Sequence, residues 1–183
     1  HWNGNALTLS LDELAVPVPG RVRGTVRIIP QCLAAREFIL DRSRRHIWQP
    51  IAPMARAEVQ LSNPDLRWTG HAYFDHNRGT EPLEDGFESW DWSRQNTGGS
   101  ARILYDVVPR KGESEILAIE VAKDGRLSHF ESPPRASLQP GFWRVERNTR
   151  SDRAMGASVV QTLEDAPFYA RSIIRSSING DKS

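Results

Sequence analysis

A His, a Trp, a Tyr and an Asp that converge on one apolar cavity can protonate a weakly basic group and stabilise the cation that follows. This chain spaces those residue types in pairs two apart. His46 and Trp48 are so placed in Arg45-His46-Ile47-Trp48-Gln49-Pro50, and Tyr73 and Asp75 in Gly70-His71-Ala72-Tyr73-Phe74-Asp75-His76-Asn77-Arg78-Gly79. Alternate side chains of a strand share a face, so an extended segment turns His71, Tyr73 and Asp75 one way and Ala72, Phe74 and His76 the other. After the next turn, the same rule groups Glu88, Trp90, Trp92 and Arg94. An acid must hold its proton to deliver it, which an apolar setting favours. Trp faces attract cations by about 0.5–2 kcal/mol each, and about 1.4 kcal/mol is tenfold in rate.

Blander readings of the same residues stand beside this one. Asp75 heads Asp75-His76-Asn77-Arg78-Gly79, where Asp, Asn and Gly favour a turn with the carboxylate on local amides. Trp90 and Trp92 can be packing residues. Glu81, Glu84, Asp85 and Glu88 read as a solvated acidic loop, although paired carboxylates beside Trp also resemble a sugar-cleaving site. His71 and His76 face apart on a strand, so a metal is not expected. Ser93 and Ser100 lack the signature of a nucleophile elbow.

The elements that must position these groups are short strands. Residues 21–29 alternate, with Val22, Gly24, Val26 and Ile28 opposed to Arg21, Arg23, Thr25 and Arg27, the period of a half-buried strand. Residues 57–61, 66–74, 87–95, 101–108, 115–123, 126–130, 142–148 and 157–163 read similarly, and Lys123-Asp124-Gly125 is a hairpin turn. The 12 Pro and 13 Gly leave little room for long helices. Only 31–42 and 165–176 offer a helix, and Ile173-Ile174 makes the second equally a closing strand. The expected fold is all-β, an antiparallel barrel or sandwich with at most one or two short helices.

A chain of 183 residues with 38% hydrophobic content holds one domain or the larger part of two. Lys plus Arg number 24 against 23 acids, a net charge of +1, which gives no broad field for nucleic acid. The single Cys32 cannot form an internal disulfide and reads as a small core or loop residue. No apolar run approaches the ~20 residues of a membrane span, and the start has no targeting pattern. Opening on His1-Trp2-Asn3-Gly4 rather than Met, the chain reads as a piece of a longer polypeptide.

The segment 70–83 followed by Trp90-Asp91-Trp92-Ser93-Arg94 resembles the carotenoid 1,2-hydratase family, also called hydroxyneurosporene synthases. The opening His1-Trp2-Asn3-Gly4-Asn5-Ala6-Leu7-Thr8, the run Trp48-Gln49-Pro50-Ile51-Ala52-Pro53 and the late Thr162-Leu163-Glu164-Asp165-Ala166-Pro167-Phe168-Tyr169 extend the resemblance over nearly the whole chain. It implies a lipocalin-like β domain over 1–183, the C-terminal part of a two-domain protein, with a piece of the domain junction at 1–45. It also implies cofactor-free addition of water to the terminal C1=C2 bond of an acyclic carotenoid such as neurosporene or lycopene. In that scheme Asp75 delivers the proton, Tyr73 and Trp48 stabilise the cation, and His46 orients or deprotonates the water. Trp90, Trp92, His71 and Asn77 contact the substrate. No metal, nucleotide or flavin is implied, and no phosphate loop is present for one. The expected partners are a hydrophobic polyene and the N-terminal part of the same polypeptide, with a cytoplasmic location and peripheral contact with the inner or intracytoplasmic membrane. A non-catalytic binder of a hydrophobic ligand and a polyene cyclase use the same scaffold and stay open as alternatives.

Overall fold

Arg21, Arg23 and Arg27 face solvent while Val22, Val26 and Ile28 are half-buried, the alternation that makes Gly20–Pro30 a strand. In the computed structural model, which describes residues 1–16, 19–152 and 156–182, the chain divides into two compact units. The first comprises His1–Phe38, Trp48–Asn77 and Ala122–Arg126; the second comprises Ile39–Ile47, Arg78–Val121 and Leu127–Ser183.

The first unit is built on β1 (Leu7–Ala15), β2 (Gly20–Pro30), the two-residue β3 (Phe38–Ile39), β4 (His46–Asn63) and β5 (Asp65–Gly79). The sheet runs β1-β2-β4-β3, and β5 also pairs with β4. Cross-strand charge pairs hold its register. Asp12 faces Arg23 and accepts the guanidinium N–H of Arg21 at 2.5 Å and of Arg23 at 2.9 Å, while Arg27 faces Glu58 at 2.7 Å. Gly24 sits at a register shift between β2 and β4. A Cβ there would lie 2.2 Å from the Gln60 carbonyl oxygen, so only glycine lets the strands approach. Phe38, Trp48, Ala52, Met54, Ala55, Ala57 and Val59 form the buried side, and Cys32 is a free, buried core residue.

The second unit contains α1 (Leu83–Gly86), one turn long, then β6 (Phe87–Asn96), β7 (Ser100–Pro109), β8 (Glu115–Ala122) and β9 (Leu127–His129), in spatial order β6-β7-β8-β9. The inner strand β7 is buried on both faces over most of its length. Three hairpins follow: β10 (Arg135–Leu138) with β11 (Arg147–Arg150), β12 (Ser158–Ala166) with β13 (Tyr169–Arg175), and β14 (Ser177–Ile178) with β15 (Asp181–Lys182). The hairpin β10–β11 is joined to β6 and β7 by charge. Asp91 and Asp106 stand opposite each other across β6 and β7, as do Arg135 and Arg150 across β10 and β11. Arg135 reaches Asp91 at 2.7 Å. Arg150 grips both oxygens of Asp106, with Nη2 at 2.6 Å and Nε at 3.0 and 3.1 Å. Leu104, Ala118 and Ile178 form a core cluster with Ile116 and Phe130 against it.

The expected all-β antiparallel architecture is the one observed, and its sheets are open rather than closed into a barrel. The helix expected at 31–42 is absent. The N–H groups of Gln31, Cys32 and Ala34 donate to Met54 O and Ile51 O on β4, so the donors a helix would use are already taken. Residues 165–176 end one strand and form the next, the extended alternative that β-branched Ile173-Ile174 favours. The strand expected at 142–148 begins only at Arg147. Arg144, with φ of 56°, donates its N–H to Gly141 O at 3.1 Å in a tight turn before it.

Candidate active site

In the first unit, β4 and β5 are neighbours, which brings residues distant in sequence onto one carboxylate. Trp48 is wholly buried, whereas Tyr73 and Asp75 are half-buried. The Trp48 indole N–H donates to Asp75 Oδ2 at 2.7 Å, and the Tyr73 hydroxyl donates to the same oxygen at 3.0 Å. That second bond puts Tyr73 and Asp75 on one face of β5. Among the described residues Asp75 Oδ1 accepts no hydrogen bond. Indole N–H is a donor only, so a neutral Asp75 has Oδ1 as the natural seat for its proton. One oxygen is therefore held by two donors, and the other has none among the described residues.

His71 and Asn77 lie on the same strand and are exposed. His46 belongs to the second unit and is buried, 2% exposed. Its ring packs on Phe87 with centroids 4.7 Å apart, and among the described residues neither nitrogen has a hydrogen-bond partner. Nδ1 lies 3.7 Å from Asp41 Oδ2. Asp41 Oδ1 accepts the backbone N–H of Arg45 at 2.9 Å and of His46 at 3.1 Å, so a local side-chain turn fixes the backbone that carries the imidazole. A Cβ on Gly86 would lie 2.4 Å from His46 Cε1, and one on Gly79 would lie 3.0 Å from His46 Cδ2. The ring is thus seated against two glycines.

Trp90 and Trp92 lie on β6, 41% and 37% exposed, opposite Val107 and Tyr105. Between them Asp91 points to the other face, where burial pushes its carboxyl up despite the Asn148 N–H and the Arg135 guanidinium that favour its charge. Glu84, Asp85 and Glu88 are exposed, the solvated acidic loop expected, while Glu81 pairs with Arg45. The geometry thus unites Trp48, Tyr73 and Asp75 directly. His46, Trp90 and Trp92 are set within the second unit, each among its own neighbours.

Two contributors were missed from sequence. Asp41 was legible as the first residue of the turn Asp41-Arg42-Ser43-Arg44-Arg45, where an Asx side chain caps backbone N–H groups. Phe38, whose ring centroid lies 5.5 Å from that of Trp48, carried no signal of spacing and fell in the segment expected to be helical.

A family model described as carotenoid hydratase CrtC matches residues 1–183. The acyclic carotenoid 1,2-hydratase of Thiocapsa roseopersicina is 49% identical over 181 residues, covering 98% of this chain and 45% of that protein. The protein of the same name from Rubrivivax gelatinosus is 44% identical over 182 residues, with 99% and 45% covered. That of Cereibacter sphaeroides is 36% identical over 184 residues, with 100% and 66% covered. The chain therefore spans about half to two-thirds of the length of these relatives. No solved structure matches it. With the family model matched from the first residue to the last and relatives aligned over essentially the whole chain, this chain belongs to the carotenoid hydratase family.

Proposed function

We propose that this chain carries the acid of a cofactor-independent hydratase that adds water across the terminal C1=C2 bond of an acyclic carotenoid such as neurosporene or lycopene. The single observation that carries the reading is the carboxyl of Asp75, held at Oδ2 by Trp48 and Tyr73 with Oδ1 left free. Family membership supports the reaction class.

Protonation of an unactivated alkene needs an acid fixed against its target and a cation kept from side reactions. In this reading Asp75 Oδ1–H is donated to C2, and the π pair becomes the new C–H bond. The charge appears at C1, which is tertiary. The indole of Trp48 and the phenol of Tyr73 present electron-rich rings beside the carboxylate, and such faces stabilise cations by roughly 0.5–2 kcal/mol each. Water then adds to C1. The added water loses a proton, which balances the one given up by Asp75. His71 and Asn77, on the strand of Asp75, supply contacts to the polyene; on β6, the exposed indole faces of Trp90 and Trp92 suit an apolar chain. Among the described residues no helix is long and apolar enough to cross a membrane; peripheral contact with a bilayer belongs to the same reading, as the route by which the polyene arrives.

The test is expression in a host that accumulates lycopene or neurosporene, with the extracted pigments analysed by liquid chromatography and mass spectrometry. A product heavier by one water is expected from the wild type and is expected to vanish in Asp75→Asn. Binding without turnover would point instead to a carrier, and an isomeric product of unchanged mass to a cyclase.

A further inference from the structure

Trp48 has a partner besides Asp75. Phe38, 6% exposed on the short strand β3, lays its ring against the indole with centroids 5.5 Å apart and planes inclined by 36°. Arg36 closes the stack, its guanidinium carbon 5.3 Å from the Phe38 centroid. A continuous series thus runs from guanidinium to phenyl to indole to carboxylate, all within the first unit. The Trp48–Asp75 bond depends on where the indole plane lies, because a ring N–H loses its acceptor steeply as the angle opens. Burial alone confines the volume of a Trp side chain, whereas an aromatic neighbour also selects the tilt of its plane.

We propose that Phe38 is a positioning residue: by fixing the plane of Trp48 it keeps the indole N–H on Oδ2 of Asp75, and so reserves Oδ1 as the oxygen that hands over the proton. The inference rests on the reading of Asp75 as the acid. Phe38 acts through Trp48 and not on the reacting atoms.

Two readouts test this on the full chain. The first needs no substrate: proton–nitrogen NMR spectra of the indole N–H groups, with the Trp48 signal assigned by its loss in Trp48→Phe. In Phe38→Leu that signal should move, in the direction it takes in Asp75→Asn, while the other indole signals hold. The second is turnover. Phe38→Leu should lower kcat roughly ten- to hundredfold, the scale of a misplaced reacting group, with KM within about twofold. Added to Trp48→Phe it should cost little more, since both changes break one series of contacts. Where Phe38→Leu melts before assay, Phe38→Met, which keeps flexible apolar bulk without a ring plane, takes its place.

An unmoved Trp48 signal in a folded Phe38 variant overturns the proposal. So do rate losses that multiply in the Phe38→Leu/Trp48→Phe double variant. Full hydration by Asp75→Asn removes the acid assignment instead, and the NMR comparison still decides whether Phe38 sets the indole.

Discussion

Trp48 is where packing and chemistry meet in one side chain. Its ring is wholly buried while its only polar atom is bonded to Asp75, so the indole serves both core and carboxylate. Truncation separates the two roles. Trp48→Ala should cost about 3–5 kcal/mol, the usual range for removing a buried large aromatic, read as a fall in the urea midpoint. Trp48→Phe should cost clearly less because most of the volume stays, and should leave the fold available for assay. Equal losses for the two substitutions would mean that the hydrogen bond, not the packing, dominates. Much of this grouping is legible in the sequence, because period-two alternation alone sets Tyr73 beside Asp75. The contribution of Phe38 was not, because contact between residues 38 and 48 depends on how β3 docks on β4.

At the scale of elements, legibility follows the regularity of the strands. Residues 87–95 and 101–108 lie between turn residues and are rich in aromatic or β-branched side chains, and they match β6 and β7 within a residue or two. The strand β4 runs eighteen residues, yet only 57–61 stood out. Pro50 and Pro53 interrupt it, and a run of four buried residues from Ala52 to Ala55, after buried His46, Trp48 and Pro50 and before buried Ala57 and Val59, shifts the parity and erases the period. The charge quartet was invisible for a different reason: it needs the registers Asp91 to Asp106 and Arg135 to Arg150, which sequence spacing does not state. The pair Asp106 and Arg150 is well shielded, with side chains 12% and 18% exposed. Asp106→Ala would strand a buried guanidinium, so about 3–5 kcal/mol should be lost. The double variant Asp106→Ala/Arg150→Met should lose less, because it leaves no charge uncompensated. Chemical denaturation of both variants decides; a double loss at least as large as the single one would remove the quartet from the account of how β10–β11 is held.

Across the whole molecule, 24 basic and 23 acidic residues nearly cancel, and much of that charge is spent in pairs that tie the dependence of stability on pH to a few carboxylates. Asp12, beside Arg21 and Arg23, is held below the ordinary carboxylate range. Asp152, which accepts the Gly180 N–H and the Ser177 hydroxyl, is held low as well. For these two the folded state binds fewer protons than the unfolded chain, so their contribution is present above the ordinary value of 3.8 and is lost as pH falls below it. Asp91 has the opposite sign. Its folded carboxyl keeps a proton to higher pH, so its contribution falls as pH rises above 3.8 through the raised folded value. Relative to the wild type, the urea midpoint of Asp152→Asn should therefore be low above 3.8, a deficit that closes as pH falls below it, whereas the difference between Asp91→Asn and the wild type should move in the variant's favour as pH rises above 3.8. Identical profiles for the two variants would contradict the assignment. Finally, the close seat of His46 against Gly86 bears on how this sequence can drift. Because any side chain at 86 would occupy the imidazole's own space, and the ring is too enclosed to step aside, the two positions are not free to vary independently. A lineage that keeps the imidazole is confined to glycine at 86, and one that acquires a larger residue there must first have surrendered the histidine.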